Sequence, residues 1–296
     1  MNNEFLLLAF NVSNWNPSEE EWDSCIKKLN DEVERKRIMN FKRPNPNYNK
    51  DQPHLQPQWL TGRINDSAKS SMAGRLLIIE LTKSMLTITD ESSIRFNRTE
   101  SNKPYLLGDN KNYNFNISHD TDWVVSLGSL NLPIGIDIMN SKIPRRQTAN
   151  EFFGTMSSCF TDKEWKVIKD ENNSEKIKTD LFFIHWCLKE SYIKADGKGL
   201  EIELKSLEFE INQNNQTAQL YINKKKMNNY QFTYFKSFLN HNNRNDNNDN
   251  NYKEDNDDIL AICVDVSKIN DQYINNIITK DNLQVKILNS DFKINK

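Results

Sequence analysis

The sequence has almost no surplus of charge, because 39 Lys and Arg residues stand against 41 Asp and Glu residues and leave a formal net charge of −2. A near-neutral chain gives no overall electrostatic reason to bind nucleic acid or a membrane surface. The sequence also lacks a segment apolar enough to span a bilayer and the basic start of a signal peptide. We therefore expect a soluble, cytosolic protein without a nucleic-acid or membrane partner. We also expect it to be a monomer.

Cysteine is scarce as well, with four residues in 296 and no CxxC pair among them. This scattered pattern favours reduced thiols over a disulfide framework or a zinc knuckle. The chain is long enough to bury a substantial core, either as one large domain or as two domains of ordinary size.

The hydrophobic pattern of the N-terminal half predicts one strand, two helices and a hairpin. The segment MNNEFLLLAFNVSNW is typical of a strand. Ser18 and Glu21 form a capping-box pattern, and apolar residues then recur at helical spacing to about Ile38. A second helix is predicted over Asp66–Leu86, and the alternation in NYNFNISHDTDWVVSLGSL predicts the hairpin.

In the C-terminal half, GIDIM (Gly135–Met139) is predicted to continue the sheet, with its isoleucines on one face and Asp137 on the other. A capping box at Thr161 begins a short helix, and a longer helix is predicted from about Thr179 to Ala195, ended by two nearby glycines. Four strand-like runs follow at Leu207–Ile211, Gln219–Ile222, Tyr230–Phe238 and Ile259–Val264.

Two segments contain too few apolar residues to bury the surface that a folded structure needs. The first is a loop insertion at about 42–62, rich in Pro, Asn and Gln. The second is an Asn- and Asp-rich tract at about 240–258, which we predict to be a disordered loop.

Asp137 is the central candidate for chemistry, because it lies in the middle of a predicted strand among isoleucines. A buried carboxylate needs a partner, since burying an unpaired charge is costly. Taken alone, the pattern favours a structural salt bridge with Lys or Arg. The functional alternative is a Mg²⁺ ligand, because Mg²⁺ typically takes one or two carboxylates together with phosphate oxygens and water.

Glu190 is the candidate second carboxylate. Trp186, Glu190 and Lys194 follow one another at intervals of four residues on the long predicted helix. Glu190 and Lys194 could form an ordinary surface pair, which would contribute only about 0.3–0.5 kcal/mol. The helix is apolar nearly all round, however, and such a helix is largely buried, so we expect both side chains to point into a site.

Basic residues supply a possible cradle for phosphates. His119 is predicted to end a strand at the hairpin turn, next to the strand of Asp137. Arginine offers bidentate contacts to phosphate, although most such residues only line solvated surface. The candidates are Arg95, Arg98 and Lys103 in the segment RFNRTESNKPYL, with Arg37, Arg63 and Arg75 elsewhere in the N-terminal half.

Four elements in fixed order resemble the surfactin-type 4'-phosphopantetheinyl transferases. They are NKP at Asn102–Pro104, NISH at Asn116–His119, GID at Gly135–Asp137 and WCLKESYIKADGKGL at Trp186–Leu200. The stretches SMAGRLL and EFFGTMSSCFTDKEW resemble the eukaryotic, aminoadipate-semialdehyde dehydrogenase-phosphopantetheinyl transferase-like branch, which implies a link to lysine biosynthesis. The resemblance covers roughly residues 30–210, and its last element is the most specific.

The resemblance implies an α+β fold of two similar α/β lobes, residues 1–130 and 131–296, related by a pseudo-twofold axis with the active site in the cleft between them. It implies that Asp137 and Glu190 bind Mg²⁺ and that Glu190, Lys194 and His119 are catalytic. It also implies CoA-binding positions, namely Arg37, Arg98, Thr99, Glu100, Ser101, Asn102, Lys103, Asn116, Ile117, Ser118, His119, Glu190 and Lys194.

The implied reaction is a Mg²⁺-dependent transfer of 4'-phosphopantetheine from CoA to a serine of an apo acyl carrier protein domain, as found in fatty acid or polyketide synthases, with release of 3',5'-ADP. Glu190 would accept the serine proton, directly or through water. Two alternatives stay open: a Mg²⁺-dependent phosphohydrolase acting on CoA or nucleotides, and a catalytically dead CoA-binding protein.

Two positions depart from the family pattern. Many bacterial members have a glutamate at the position of Met139, so this chain has two candidate protein ligands for the metal instead of three. The usual glycine before Lys-Pro is Asn102. Because Asn tolerates the left-handed backbone better than most residues, we expect the turn to be retained.

Overall fold

A computed structural model describes residues 5–41, 66–110, 112–120, 122–144, 146–237, 239, 257–268, 278, 283–289 and 292. Within these residues the fold is α+β, as predicted, with six α-helices and twelve strands. The helices are α1 (Glu19–Lys28), α2 (Glu32–Phe41), α3 (Asp66–Leu86), α4 (Ala149–Thr155), α5 (Asp162–Ile168) and α6 (Glu175–Asp196).

The strands form two large sheets and one short hairpin. Their bounds are β1 (Phe5–Asn11), β2 (Phe96–Arg98), β3 (Pro104–Leu106), β4 (Tyr113–Asp120), β5 (Trp123–Leu130), β6 (Ile134–Asn140), β7 (Leu207–Asn212), β8 (Thr217–Ile222), β9 (Lys225–Lys226), β10 (Tyr230–Lys236), β11 (Asp258–Asp265) and β12 (Gln284–Ile287). One sheet has the order β12-β1-β5-β4, and the other has the order β6-β11-β10-β8-β7 with β9 beside β8. The pair β2-β3 stands apart.

The layers run helix, sheet, sheet, helix. Residues on alternate sides of each strand enter different cores, as the period of two requires. In β1, Leu6 and Leu8 pack with α3, whereas Phe5 and Leu7 pack between the two sheets. The isoleucines of β6 also lie between the sheets, on the face opposite Asp137 as predicted, and the other face lies against α6. The side chain of Asp137 is therefore on the α6 side.

The strand β6 does not continue the sheet of β4 and β5, so that prediction is wrong: its ladder partner is β11. It nevertheless lies along the edge strand β4, because side chains of β4 replace a backbone ladder. Three backbone N–H groups of β6 donate to every second side chain of β4: Ile136 to Asn116 Oδ1 at 3.3 Å, Ile138 to Ser118 Oγ at 3.3 Å and Asn140 to Asp120 Oδ2 at 2.6 Å. These bonds join the edges of the two sheets.

The strand β12 was not predicted. It lies near the end of the chain and joins the four-stranded sheet that contains β1, β5 and β4. It pairs in parallel with β1, with Leu6 opposite Gln284 and Ala9 opposite Ile287. The predicted boundary after residue 130 falls between β5 and β6. The four-stranded sheet thus contains strands from both sides of that boundary.

The first predicted helix is in fact two helices. Leu29 leaves the helical region with φ −79° and ψ 115°, and Asp31 Oδ1 accepts the backbone N–H groups of Val33 and Glu34 at 2.8 and 3.1 Å. Aspartate is a strong N-cap residue, so Asp31 begins a second helix where the apolar spacing alone suggested continuation. The helix α3 and the hairpin β4-β5 have the predicted bounds, to within a residue.

The helix α6 begins one turn earlier than predicted. Ser174 accepts the backbone N–H of Ile177 and caps it there. The helix ends at Gly197, which has a φ of +81° and is the predicted stop. The four strand-like runs in the C-terminal half also form strands, and both predicted capping boxes are present, at Ser18 and at Thr161.

The predicted insertion at 42–62 lies outside the described residues. The predicted loop at 240–258 lies outside them too, except for its last two residues, for which the prediction of disorder is wrong. Asp257 pairs with Lys176 at 2.7 Å, and Asp258 is buried at the start of β11. The four cysteines are free thiols, as predicted. Among the described residues, no helix is long and apolar enough to cross a bilayer.

The backbones of β6 and α6 touch at Gly135. A Cβ atom at this position would lie 2.0 Å from the carbonyl oxygen of Ser191 and 2.5 Å from the backbone nitrogen of Ala195. Both are backbone atoms in the middle of a helix, so neither can move aside easily. Glycine at 135 therefore sets how closely α6 approaches the strand that carries Asp137.

We predict that Gly135→Ala lowers the free energy of unfolding by about 1–3 kcal/mol or more, because the added methyl group forces α6 away from β6. Gly154→Ala is the matched control. A Cβ at Gly154 meets nothing within 4 Å, and Ala is the better helix former, so this variant should be unchanged or slightly more stable. Urea unfolding of both variants measures the difference; equal stabilities would contradict the contact.

Candidate active site

Side chains from β4, β6 and α6 meet at Asp137. Its Oδ1 accepts hydrogen bonds from Ser118 Oγ at 2.8 Å and from Lys194 Nζ at 2.7 Å, and Lys194 Nζ also donates to Ser118 Oγ at 2.8 Å. Ser118 additionally accepts the N–H of Ile138, so its hydroxyl uses one donor and two acceptor positions. Asp137 thus has the lysine salt bridge expected of a structural carboxylate, but its partner is a predicted catalytic residue.

Glu190 lies one turn before Lys194 on α6 and is half-buried. The interpretation of these two residues as a surface ion pair is wrong, because Lys194 pairs with Asp137 instead. Burial raises the pKa of Glu190, the charge of Asp137 raises it further, and Lys194 lowers it. Two carboxylates this close repel each other, and a cation between them would relieve the repulsion.

The arrangement fits Mg²⁺. Asp137 Oδ2 is buried and has no hydrogen-bond partner among the described residues. The lone pairs of this oxygen are therefore available to a metal ion. Carboxylate oxygens are the ligands that Mg²⁺ prefers, and phosphate and water oxygens complete its shell. Met139 packs into the core under α6 and adds no third carboxylate. Asp137 and Glu190 would hold the ion as a pair, since the described part of the chain has no cluster of three such ligands.

His119 lies near the end of β4, opposite Val124 of β5, and is exposed. The strand runs one residue past it, so His119 is in the strand and not at the turn as predicted. Desolvation lowers its pKa, Lys194 and Arg37 lower it further, and Asp120 and Asp137 raise it. His119 is therefore within electrostatic reach of both Lys194 and Arg37.

Glu34, which sequence reasoning missed, gathers three of the predicted basic residues. Its Oε1 accepts from Arg98 Nε at 3.0 Å and Nη2 at 2.8 Å. Its Oε2 accepts from Arg37 Nε at 3.1 Å and Nη2 at 3.0 Å, and from Arg75 Nε at 2.9 Å. Arginines from α2, α3 and β2 thus form one cluster. The only sequence signal was the Glu34–Arg37 spacing of three residues on a helix.

Two further arginines were candidates for the phosphate cradle, Arg95 and Arg63. Arg95 donates through Nη1 to the carbonyl groups of Ser92 and Ile94 in its own loop. Arg63 lies outside the described residues. Of the described candidate arginines, Arg37, Arg75 and Arg98 therefore meet at Glu34, and Arg95 is engaged in its own loop.

The segment between β2 and β3 folds back on itself around Asn102. This residue has a φ of +64°, so asparagine adopts a left-handed backbone here and the turn is present, as predicted. Its N–H donates to the carbonyl of Thr99 at 2.9 Å, and the Thr99 N–H donates to the carbonyl of Lys103 at 2.9 Å. Arg98 Nη1 donates to the carbonyl of Asn102 at 2.8 Å, which ties the segment to the arginine cluster.

The same segment caps the C-terminal end of α6. Ser101 Oγ donates to the carbonyl of Gly197, and Lys103 Nζ donates to the carbonyls of Lys194 at 2.7 Å and Ala195 at 3.1 Å. These carbonyls lack partners within the helix. Burial lowers the pKa of Lys103. Lys103 and Ser101 thus hold the helix end, and their roles in CoA binding stay predictions.

The remaining predicted CoA-binding residues lie on β4 and in the segment between β2 and β3. The side chains of Asn116 and Ser118 are committed to bonds with β6. Ile117 points the other way and packs into the core under α3, so any contact with CoA falls to its backbone. Thr99 is close to Ser101, with 2.9 Å between their hydroxyl oxygens, and Glu100 is exposed. CoA binding by these residues stays a prediction.

A buried ion pair fixes α6 one residue before Glu190. Lys189 is 0% exposed, and its Nζ donates to Glu164 Oε2 at 2.8 Å and to three backbone carbonyl groups. Glu164 Oε1 accepts the N–H of Phe209 at 3.0 Å. Lys189 and Glu190 point to different sides of the helix. The pair therefore sets the rotation of α6 that turns Glu190 and Lys194 towards Asp137.

Two family models match the chain in succession. The model described as "4'-phosphopantetheinyl transferase, N-terminal" matches residues 13–131, and the model described as "4'-phosphopantetheinyl transferase superfamily" matches residues 133–254. The first match ends at residue 131 and the second begins at residue 133, next to the predicted domain boundary after residue 130.

Curated proteins of the same kind are similar to this chain. The L-aminoadipate-semialdehyde dehydrogenase-phosphopantetheinyl transferase of Rattus norvegicus is 38% identical over 207 residues, which are 69% of this chain and 59% of the rat protein. The 4'-phosphopantetheinyl transferase gsp of Aneurinibacillus migulanus is 32% identical over 199 residues, which are 67% of this chain and 75% of that protein. The chain thus spans about three fifths of the rat relative.

Among solved structures, a holo-(acyl-carrier-protein) synthase from Bacillus anthracis in complex with CoA (3',5'-ADP) is 18% identical, with a TM-score of 0.30. The match covers 45% of this chain and 95% of that chain. Likeness of this degree is too low to bear on the geometry of the site.

We predict that Lys189→Met lowers the free energy of unfolding by about 3–5 kcal/mol, because it leaves the buried Glu164 carboxylate without its cation. The double variant Lys189→Met with Glu164→Gln should recover part of this loss, since neither charge is then unpaired. Lys198→Met, at an exposed lysine just past the helix, is the control and should be neutral. Thermal unfolding distinguishes them; a single variant as stable as the control would disprove the role of the pair.

Proposed function

Because this chain belongs to the 4'-phosphopantetheinyl transferase superfamily, we propose that it transfers the 4'-phosphopantetheine moiety of CoA to a serine of an apo acyl carrier protein domain. The observation that carries the proposal is the meeting of Asp137, Glu190 and Lys194 beside β4. These are the residues that the resemblance assigns to the metal and the pyrophosphate. They come from two elements, and Lys194 on α6 lies 57 residues after Asp137 on β6.

The proposed fold is two similar lobes related by a pseudo-twofold axis, with the site between them. In support, each half of the chain places a long helix, α3 or α6, on the outer face of a sheet whose strands are mostly antiparallel. The site lies at the join between the sheets, where side chains of β4 bond to β6. A site at such a join can take a substrate that contacts both halves.

In the proposed reaction, the serine hydroxyl oxygen forms a bond to the phosphorus next to pantetheine, and the phosphoanhydride bond breaks. The leaving group is 3',5'-ADP, which takes the bridging oxygen. Mg²⁺ held by Asp137 and Glu190 would neutralise charge on the phosphates. Phosphoryl transfer depends mainly on positioning and charge stabilisation, which Lys194 supplies as a cation beside the carboxylates.

The hydroxyl proton of the serine needs an acceptor. We assign this role to Glu190, directly or through water, because its carboxylate makes no hydrogen bond to another described residue. Asp137 is less available, since its Oδ1 already accepts from Ser118 and Lys194. His119 faces the exposed side, where it can contact a phosphate of CoA.

The proposed partner is an acyl carrier protein domain, of a fatty acid synthase, a polyketide synthase or an aminoadipate reductase-type enzyme. The rat relative is named for an L-aminoadipate-semialdehyde dehydrogenase, which favours a role in lysine metabolism for this chain as well. We propose action in the cytosol as a monomer, where the free thiols of its cysteines are in a reducing environment.

The proposal is tested by intact-mass spectrometry of an apo acyl carrier protein incubated with this protein, CoA and Mg²⁺. We expect the carrier to gain one phosphopantetheine mass, and EDTA to prevent the gain. Asp137→Asn and Glu190→Gln should abolish transfer while circular dichroism shows a folded protein. Glu175→Gln, an exposed glutamate on the same helix, is the matched control and should be fully active.

Three other outcomes would count against the proposal. Near-normal transfer by Asp137→Asn or Glu190→Gln would show that the metal site is assigned wrongly. CoA cleavage without modification of the carrier would indicate the phosphohydrolase. Intact CoA with several unmodified carriers would indicate a CoA-binding protein without transferase activity.

We also predict that Lys194→Gln binds Mg²⁺ more tightly than the wild type when CoA is absent. The ammonium group lies 2.7 Å from Asp137 Oδ1, so it competes with the metal ion for the same carboxylate. Unit charges about 4 Å apart interact by about 4 kcal/mol at an effective dielectric constant of 20. Because Lys194 is partly exposed, we expect a smaller gain, roughly tenfold in affinity.

Isothermal titration of the CoA-free protein with Mg²⁺ measures this difference. Lys198→Gln removes an exposed cation four residues further on and is the matched control, expected to bind as the wild type does. Weaker binding by Lys194→Gln than by the control would show that the lysine supports the metal ion instead of competing with it.

A further inference from the structure

Three hydrogen bonds form a closed triangle between Ser118, Asp137 and Lys194. Ser118 Oγ donates to Asp137 Oδ1 at 2.8 Å, and Lys194 Nζ donates to the same Oδ1 at 2.7 Å and to Ser118 Oγ at 2.8 Å. Ser118 and Asp137 are buried, with 5% and 4% of their surface exposed. Because little water reaches the bond between these two residues, it is stronger than the same bond would be at the protein surface.

The triangle distinguishes the two carboxylate oxygens of Asp137. Oδ1 accepts two hydrogen bonds, whereas Oδ2 is buried and has no hydrogen-bond partner among the described residues. An aspartate carboxylate turns easily about χ2, because this torsion has broad minima. The hydrogen-bond partners therefore decide which oxygen belongs to the triangle and which oxygen is left to receive a cation.

The hydroxyl group of Ser118 has no hydrogen-bonding capacity left for a further ligand. A hydroxyl group offers one hydrogen and two lone pairs. The hydrogen is donated to Asp137, one lone pair accepts from Lys194, and the other accepts the backbone N–H of Ile138 at 3.3 Å. Since Ile138 follows Asp137 in β6, one hydroxyl group holds both the backbone and the carboxylate of the strand at this point.

The alternation of side chains along β4 gives the neighbours of Ser118 different surroundings. Asn116 accepts a hydrogen bond from β6, as Ser118 does, and Ile117 packs into the core under α3. His119 is exposed. Within Asn116–His119 the side chain that a CoA molecule can reach from solvent is therefore that of His119, whereas Ser118 is turned towards Asp137.

We infer that Ser118 is a positioning residue for the Mg²⁺ ligand Asp137 and not a contact of CoA. The inference rests on the proposed function. The hydroxyl group keeps Oδ1 in the triangle, so that Oδ2 stays available to the cation that Asp137 and Glu190 would share. Groups that hydrogen-bond to a metal ligand orient it, and their loss typically lowers metal affinity roughly 10- to 100-fold. Without the hydroxyl group, the flexible side chain of Lys194 is the remaining partner of Oδ1 and does not fix the carboxylate.

The test measures the affinities for Mg²⁺ and for CoA separately, by isothermal titration of Ser118→Ala and of the wild type. In the CoA-free protein we expect Mg²⁺ to bind Ser118→Ala roughly tenfold more weakly, because Asp137 is no longer oriented. In the presence of EDTA, CoA should bind Ser118→Ala as it binds the wild type, since the hydroxyl group does not touch it.

Ser126→Ala is the matched control, because it also removes one buried hydroxyl group from the same sheet. Ser126 is 0% exposed, and its Oγ donates to the backbone carbonyl of Asn116 at 3.2 Å. It lies on the face of β5 towards α3, between Val124 and Gly128, and so away from β6. This variant should bind Mg²⁺ and CoA as the wild type does, whatever stability it loses in urea unfolding.

Ser118→Cys is the second variant and decides the question if Ser118→Ala does not fold. The two side chains are similar in size, but a thiol is a weak hydrogen-bond donor. We expect Ser118→Cys to bind Mg²⁺ several-fold more weakly than the wild type, with its affinity for CoA in EDTA again unchanged.

The outcomes separate the inference from the function on which it rests. Mg²⁺ affinity in Ser118→Ala equal to that in Ser126→Ala would overturn the inference alone. Weaker binding of CoA in EDTA would also overturn it, because Ser118 would then be a contact of CoA. Tighter binding of Mg²⁺ by Ser118→Ala would do the same, since the hydroxyl group would then compete with the metal ion. A wild type that binds neither Mg²⁺ nor CoA would overturn the proposed function together with the inference.

Discussion

The site depends on the contact between the backbones of α6 and β6 at Gly135. A helix and a strand normally keep a layer of side chains between them, at a distance that would hold a lysine away from a carboxylate on the strand. Here the missing Cβ lets Ser191 and Ala195 lie directly on the strand. Asp137, two residues along, then faces α6 at hydrogen-bond distance from Lys194. The close approach thus combines a glycine on β6 with two small residues, Ser191 and Ala195, on α6.

Two further devices keep that contact in place. The buried pair of Lys189 and Glu164 sets the rotation of α6, and Lys103 with Ser101 holds its C-terminal end. Across the strand, the side chains of β4 bond to the backbone of β6 and bring Ser118 to Asp137. The charged residues of the site are thus held in place by hydrogen bonds and an ion pair on neighbouring elements.

The sequence predicted the parts of this structure that follow from local periodicity. Asp66–Leu86 has the spacing of a helix that packs on one sheet, and Gly197 has the φ that only glycine adopts readily, so both were found. Asp137, Glu190 and Lys194 were found by motif and order. The break at Leu29 was missed because an N-cap such as Asp31 competes with apolar spacing, which alone suggests a continuous helix. Glu34 was missed because its partners lie 41 and 64 residues away, and no local pattern encodes such contacts.

The pairing of β1 with β12 has a consequence for how the chain matures. Since β12 comes from residues 284–287, β1 keeps one open edge on the ribosome until nearly the whole described chain has been synthesised. β1 has the sequence FLLLAFN, and an apolar edge of this kind is a template for pairing with other chains. Nascent molecules are therefore most prone to aggregate before residue 284 emerges. A truncation upstream of β12 would leave every copy in that state, with Asp137 and its partners present but the N-terminal sheet unfinished.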